Sequence, residues 1–248
     1  VQLDRLQVTE TVALTAFAGD FDMRQGMAGG FNGRVNGGTP IAGQISPQDG
    51  GSAYRITSDD AGGVVRSAGV FDQGRDGDMV MTLLPADAPG TYNGSLRVEN
   101  ARVSGAPAVA AILNAISLVG LFSELAGKGI EFTGIDADFR LSPETLTIYR
   151  SSAVGPSIGM SMDGTYNLVT GWLDTRGVIS PIYMFNVIGS VVTGKGEGLF
   201  GFNYTLKGPA EDPRVEVNLL SGLMPSFTRN IFRDAPRPKP PADGGEPL

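Results

Sequence analysis

The chain contains neither cysteine nor histidine. The first absence removes disulfides and thiolate metal sites, and it fits any redox compartment. The second removes Ser-His-Asp and Cys-His nucleophiles, imidazole acid–base chemistry and the usual zinc sites. Any catalysis would rest on carboxylates, lysine or tyrosine. Basic clusters are missing as well: the net charge is −7 and the lysines and arginines are scattered, which argues against nucleic acid as a partner. No initiator methionine or charged targeting segment opens the chain, and Val1 reads as the middle of a strand. The expectation is a fragment of a longer protein.

Glycine is what the chain has in excess, at 36 residues, with 16 prolines beside it. Both are spread as turn punctuation, so many short strands joined by tight turns are expected. Strand character covers 1–18, with Val12, Leu14 and Ala16 on one face, then 30–36, 40–46, 53–58, 63–69, 78–84 and 91–103. It resumes at 130–141, 145–153, 158–168, 171–180, 196–207 and 214–219. Val35–Gly38 (VNGG) and Arg75–Asp78 (RDGD) read as hairpin turns, because Asn-Gly and Asp-Gly accept positive φ. Two strands alternate most clearly. Ile158, Met160 and Met162 interleave with Gly159, Ser161 and Asp163, and Phe200, Phe202, Tyr204 and Leu206 interleave with Gly201, Asn203, Thr205 and Lys207. One apolar and one small or polar face is the pattern of an antiparallel sheet covered on one side.

The exception to this rhythm is 108–126, AVAAILNAISLVGLFSELA, almost wholly apolar. As one helix it would be roughly 28 Å long, close to the hydrocarbon thickness of a bilayer. Pro107 suits its first turn, and Gly127 and Gly129 its end. Strands on both sides, Glu124 near its end and no basic flank on the N-terminal side argue against a span. It reads instead as one long helix covering or plugging an apolar sheet face, through Ile112, Leu113, Ile116, Val119 and Phe122. The stretch 181–195 is apolar without a period of two, and reads as a loop or short helix that could touch a membrane. A second short helix is expected near 221–232, followed by a disordered Pro-rich tail at 234–248. Residues 1–233 are read as a single domain.

The acidic clusters do not build a site. Asp72, Asp76 and Asp78 fit no calcium-loop spacing and enclose Arg75. The pairs Asp20/Asp22, Asp59/Asp60 and Asp136/Asp138 invite a two-carboxylate hydrolase, but such pairs arise by chance in an acidic chain. GKGEG at 194–198 lacks the spacing of a phosphate loop. No metal, cofactor or catalytic residue is expected.

From Ala106 onward the chain resembles the C-terminal region of AsmA-like proteins of the Gram-negative envelope, in the YhdP-type branch. The resemblance is carried by ISLVGLFSELAGKGIEF (116–132), VGPSIGMSMDGTYNLVTGWLDTRGVISPIYMFN (154–186) and GKGEGLFGFNYTLKGPAEDPRVEVNLLSGLMPSFTRNIF (194–232). The first hundred residues fit more loosely, around SDDAGGVVRSAGVFD (58–72). Two departures, Asn218-Leu219-Leu220-Ser221 for Asn-Pro-Leu-Ser and Pro225-Ser226 for Pro-Gly, touch a turn and a helix start and no chemistry.

The resemblance implies a mainly β fold: a curved antiparallel sheet forming a trough related to bridge-like lipid-transfer proteins. It implies a parent anchored in the inner membrane outside this fragment, with its bulk in the periplasm and phospholipid as its cargo. The residues agree that an apolar sheet face must be covered by a helix or by acyl chains, and methionine suits irregular partners. The expectation is therefore a non-enzymatic lipid-handling module. Ile158, Met160, Met162, Phe200, Phe202, Tyr204 and Leu206 would contact lipid. The alternative is a scaffold whose groove is filled by its own helix and which docks an envelope protein partner.

Overall fold

The computed structural model describes residues 1–49, 51–117, 119–181 and 201–219, with backbone alone at 119–122. Phe200, the stretch 182–195, the helix expected near 221–232 and the tail 234–248 lie outside the described residues. The chain folds as β1 (Gln2–Gln7), β2 (Ala13–Asp22), β3 (Ala28–Val35), β4 (Pro40–Gln48), β5 (Gly51–Ser58), α1 (Ala61–Ser67), β6 (Gly74–Arg75), β7 (Asp78–Pro85) and β8 (Tyr92–Val103). There follow α2 (Pro107–Ala115), α3 (Val119–Ala126), β9 (Ile130–Leu141), β10 (Thr145–Val154), β11 (Ile158–Asn167), β12 (Trp172–Pro181), β13 (Phe202–Pro209) and β14 (Arg214–Asn218). All strands belong to one open, antiparallel, 14-stranded sheet. Its order follows the chain from β1 to β14, except that the short β6 pairs with β8.

A meander of this kind is what frequent tight turns produce, since antiparallel neighbours need only a short connection. The expected hairpin at Val35–Gly38 forms: Asn36 (φ +46°) and Gly37 (φ +79°) take the positive φ of a type I′ turn. The Asn36 side chain then binds outward. Its Oδ1 accepts from the Ala13 N–H at 2.8 Å, and its amide donates to the carbonyls of Thr11 and Ser67.

Five expectations are corrected. The strand read across 1–18 is two strands, β1 and β2, paired as a hairpin. Ala16 is not on the apolar face: it is exposed, with φ +47°, at a bulge that shifts the register between β2 and β3. The turn expected at Arg75–Asp78 is a bulge rather than a hairpin, because β6 and β7 both pair with β8 and follow one another along it. Asp76 and Gly77 carry positive φ there, and a Cβ on Gly77 would lie 2.9 Å from the Val98 side chain.

The strand expected at 63–69 is helix α1. The Asp60 carboxylate accepts the Gly63 N–H at 2.8 Å, an N-cap that a strand could not use. The N–H groups of Ala61 and Gly62 donate to the carbonyls of Gly77 and Asp76 on the bulge. Capping and this docking outweigh the weak period-two signal of a short glycine-rich segment.

The single long helix expected over 108–126 is two helices. The chain turns at Ile116 and Ser117, where Ser117 takes φ +58°. Helices α2 and α3 pack on each other, α2 beside β14 and α3 beside β9. Folding back lets both apolar helices bury surface on the sheet and on each other, which a straight rod of the same length could not do. Pro107 begins α2, and the N–H groups of Gly127 and Gly129 close α3 on the carbonyls of Ser123 and Glu124. Among the described residues no helix is long and apolar enough to cross a membrane.

The register places apolar side chains in rungs along one face of the sheet. One rung links Met79, Val98, Ile135, Ala153, Met160, Ile179 and Phe202 on successive strands β7–β13. The helices cover this edge of the face. α1 backs Leu14, Phe17, Val35 and Ile41 on one side and Met79, Val98 and Ala101 on the other, while α2 and α3 back Ile130, Phe132, Ile158, Ile179, Tyr204 and Leu206.

Glycines on the apolar face have a packing role. In three cross-strand pairs an aromatic ring lies over the glycine opposite it: Phe31 over Gly43, Phe139 over Gly94 and Tyr204 over Gly177. A Cβ on any of these glycines would fall 2.2–2.6 Å from the ring or its hydroxyl. The rings therefore lie low against the sheet, and the Tyr204 hydroxyl donates to the Ser161 carbonyl at 3.0 Å.

Candidate functional site

The two faces of the sheet differ chemically because strand side chains alternate. On the polar face, Arg97 pairs with Asp136 at 3.1 Å, Arg150 with Asp138, and Lys207 with Asp174 at 3.3 Å. Asp136 and Asp138 thus bind different arginines, and no two-carboxylate site forms from them. Asp22 binds Arg24 at 2.5 Å, and Arg24 holds the Asp22 carboxyl below the usual carboxylate range. Asp60 caps α1 and Asp76 sits in the bulge. No group of acidic side chains among the described residues could hold a metal ion.

Within this polar face, Asp163 is nearly sealed, with its side chain 3% exposed, and pairs with Arg176 at 2.9 Å. A hollow of about 760 Å³ lies over β2–β5, floored by Ala18, Gly30 and Ala42 and bordered by Asp20, Gln44 and Arg55. Its charged and amide side chains are all exposed, so it has the character of an ordinary solvated sheet face.

The apolar face is the candidate site. Of the residues expected to contact lipid, the described ones share this face, with Met160 joined by register to Ile179 and Phe202, and Met162 to Gly177 and Tyr204. The structure divides them by access. Ile158, Tyr204 and Leu206 are buried at 0%, 2% and 6% exposure in the cluster under α2 and α3. Met160 and Phe202 are half-buried and pack against that cluster. Ile112, Leu113 and Ile116 of the helical stretch are buried in it too. The side chains of Val119 and Phe122, like all of Phe200, lie outside the described residues.

Met162 is different: it is half-buried and belongs to none of the three helix-backed clusters. Its neighbours in that condition were not singled out from the sequence. They are Tyr54 on β5, Met81 on β7, Tyr92 on β8, Leu141 on β9, Leu146 and Ile148 on β10, and Tyr166 on β11. Register joins Tyr92, Leu141, Leu146 and Tyr166 in one rung, and Met81 and Met162 belong to another. Phe139 and Leu83 lie between the rungs, pressed into the sheet at 7% and 9% exposure. The result is a strip of apolar side chains across β5–β11, beyond the helices, with small residues such as Ala137 and Ser151 in its middle. Strand alternation is the signal that could have found it: every one of these residues follows period two.

Two tyrosines mark one part of the strip. The rings of Tyr54 and Tyr92 meet edge to face, 5.7 Å between centroids. Burial pushes the Tyr54 phenol up from its ordinary value, and the neighbouring Tyr92 adds to that shift.

Comparison with protein-family models, with characterised proteins and with solved structures gives no match.

Proposed function

We propose that the chain is a non-enzymatic lipid-handling module, whose open apolar strip holds the acyl chains of a phospholipid while its polar face meets water. The strip itself carries this reading. It is a run of half-buried apolar side chains, unbacked by any described helix, on a sheet whose opposite face is ion-paired. Soluble proteins rarely leave contiguous apolar surface without a partner for it. Acyl chains are a fitting partner, because the strip offers large apolar contact with few directional polar groups.

Under this reading the sheet curls into a trough. Supporting this, α3 lies beside β9 and α2 beside β14. Five strand spacings separate those strands, about 24 Å along the sheet, whereas α2 is only ~13.5 Å long. Rungs crossing β5–β11 also span five strand spacings, about 24 Å, against ~15 Å for an acyl chain occupying one leaflet. The reading keeps the AsmA-like resemblance and, with it, a periplasmic location in a parent anchored in the inner membrane. Membrane contact through α2 and α3 or through 181–195 belongs to the same proposal.

A scaffold that docks an envelope protein is the second reading, favoured by the close packing of Ile112, Leu113 and Leu125 over β9–β13. One experiment separates the two. Photoreactive residues replace Met162 and Tyr166 on the strip and Ala42 on the polar face, and purified protein is extracted and analysed by mass spectrometry. Co-purified phospholipid with crosslinks at 162 and 166 but not 42 supports lipid handling. Extracts without phospholipid, together with no lipid crosslink at either strip position, sink it.

A further inference from the structure

We propose that the helical insertion 104–129 is a hinged cover, and that lifting it joins the buried surface of β11–β13 to the open strip. The inference rests on the lipid-handling reading for its ligand, though not for its geometry.

Strands β8 and β9 pair to their ends, at Val103 opposite Ile130. A tight turn would connect them, yet the chain leaves at 104 and returns at 129. Both departure points lie side by side, so the insertion can swing without opening any sheet pairing. The roots are Gly105 (φ +67°) and Gly129 (φ +86°), and the Gly105 N–H donates to the Leu125 carbonyl at 3.1 Å. Hinged elements need only a few such terminal residues to absorb the change in φ and ψ. Because α2 and α3 pack on each other, they would move as one body.

What holds the insertion down is mostly non-directional. Ile112, Leu113 and Leu125 are at most 1% exposed against Ile158, Ile179 and Leu206. A side-chain hydrogen bond adds to this, from Ser157 Oγ to Glu124 Oε1 at 3.1 Å. Acyl chains can replace apolar contacts of this sort without leaving polar groups unpaired. A ligand that binds only the lifted state shifts the population toward it, and one that binds both states equally does not. With the cover lifted, Ile158, Tyr204 and Leu206 extend the apolar surface that Met162 begins.

The absence of cysteine makes the test clean. The double variant Glu124→Cys, Ser157→Cys is stapled with a short bismaleimide carrying a central disulfide, which dithiothreitol cleaves. Uptake of cis-parinaric acid is measured before and after cleavage. The cover predicts that stapling lowers uptake by about ten-fold or more and that cleavage restores it. Equal uptake in both forms overturns it. Hydrogen exchange reads the hinge without any lipid: amides of 108–115 and 119–126 should exchange together, at least ~10-fold faster than those of β8 and β9, and stapling should slow them. If the unstapled chain takes up no probe but this exchange pattern holds, the lipid reading fails and the hinge stands. Exchange of the helices only in step with β8 and β9 refutes the hinge itself.

Discussion

Gly94→Ala tests whether glycine is required under the aromatic rings of the apolar face. An added Cβ would lie 2.3 Å from Cε2 and Cζ of Phe139, which is 7% exposed and would have to shift to admit it. Overpacking of that kind costs ~1–3 kcal/mol. Gly94 does not occupy the left-handed region, so alanine there also gains roughly 0.4–1 kcal/mol by restricting the unfolded chain. The difference is a net loss of about 0.5–2 kcal/mol.

The same change made with Phe139→Leu should reverse sign, because the ring is withdrawn and only the backbone gain remains, about 0.5 kcal/mol. Urea denaturation of the four proteins of the cycle measures this. For a slope of ~3 kcal/mol/M, Gly94→Ala alone lowers the midpoint by about 0.2–0.7 M. In the leucine background it raises the midpoint slightly. The coupling energy should be about 1–2.5 kcal/mol, well outside the ~0.5 kcal/mol scatter of independent sites. Equal effects of Gly94→Ala in the two backgrounds would refute the argument that the ring requires the glycine.

Three further outcomes are expected. Asp163→Ala, which strands the 20%-exposed Arg176 side chain, should cost about 3–5 kcal/mol in calorimetry or denaturation, whereas Asp174→Ala at the exposed Lys207 pair should cost under ~1 kcal/mol. A similar loss at both positions would contradict the burial argument. Ala16→Gly should stabilise by about 0.5–1 kcal/mol, because Ala16 holds φ +47° at the β2 bulge, and a fall in midpoint would count against strain at that residue. Tyr54, raised by burial first and by Tyr92 second, should ionise late in an ultraviolet titration. Because the folded state favours its neutral phenol, stability is full below about pH 10 and declines as pH climbs through the raised value. Tyr92→Phe should bring the midpoint down while leaving it above the ordinary one, and an unchanged midpoint would remove Tyr92 as a cause.

Alternation along single strands was enough to predict most of the sheet. Ile130–Leu141 is a strand with the boundaries expected of it, and β10–β12 match within a residue or so. It was also enough to place Met160, Met162, Tyr204 and Leu206 on one face. What it could not say is which part of that face the described helices back. Ile158 and Met162 sit four residues apart in one alternating pattern, yet one is sealed beneath α2 and α3 and the other is not. Such a difference depends on where an insertion lands, which no local periodicity records.

Composition and period two therefore determined, from the sequence alone, an antiparallel β protein with one apolar face and no histidine or cysteine chemistry. These properties are local, set residue by residue through side-chain type and backbone freedom. Only the tertiary structure decided that 108–126 folds back as two helices, that Asp60 starts a helix where a strand was expected, and that β5–β11 carry a strip that no described helix backs. Each of those depends on contacts between residues far apart in the chain: α2 with β14, Gly62 with the bulge at Asp76, and Phe139 with Gly94. In each case long-range burial outweighed the local preference.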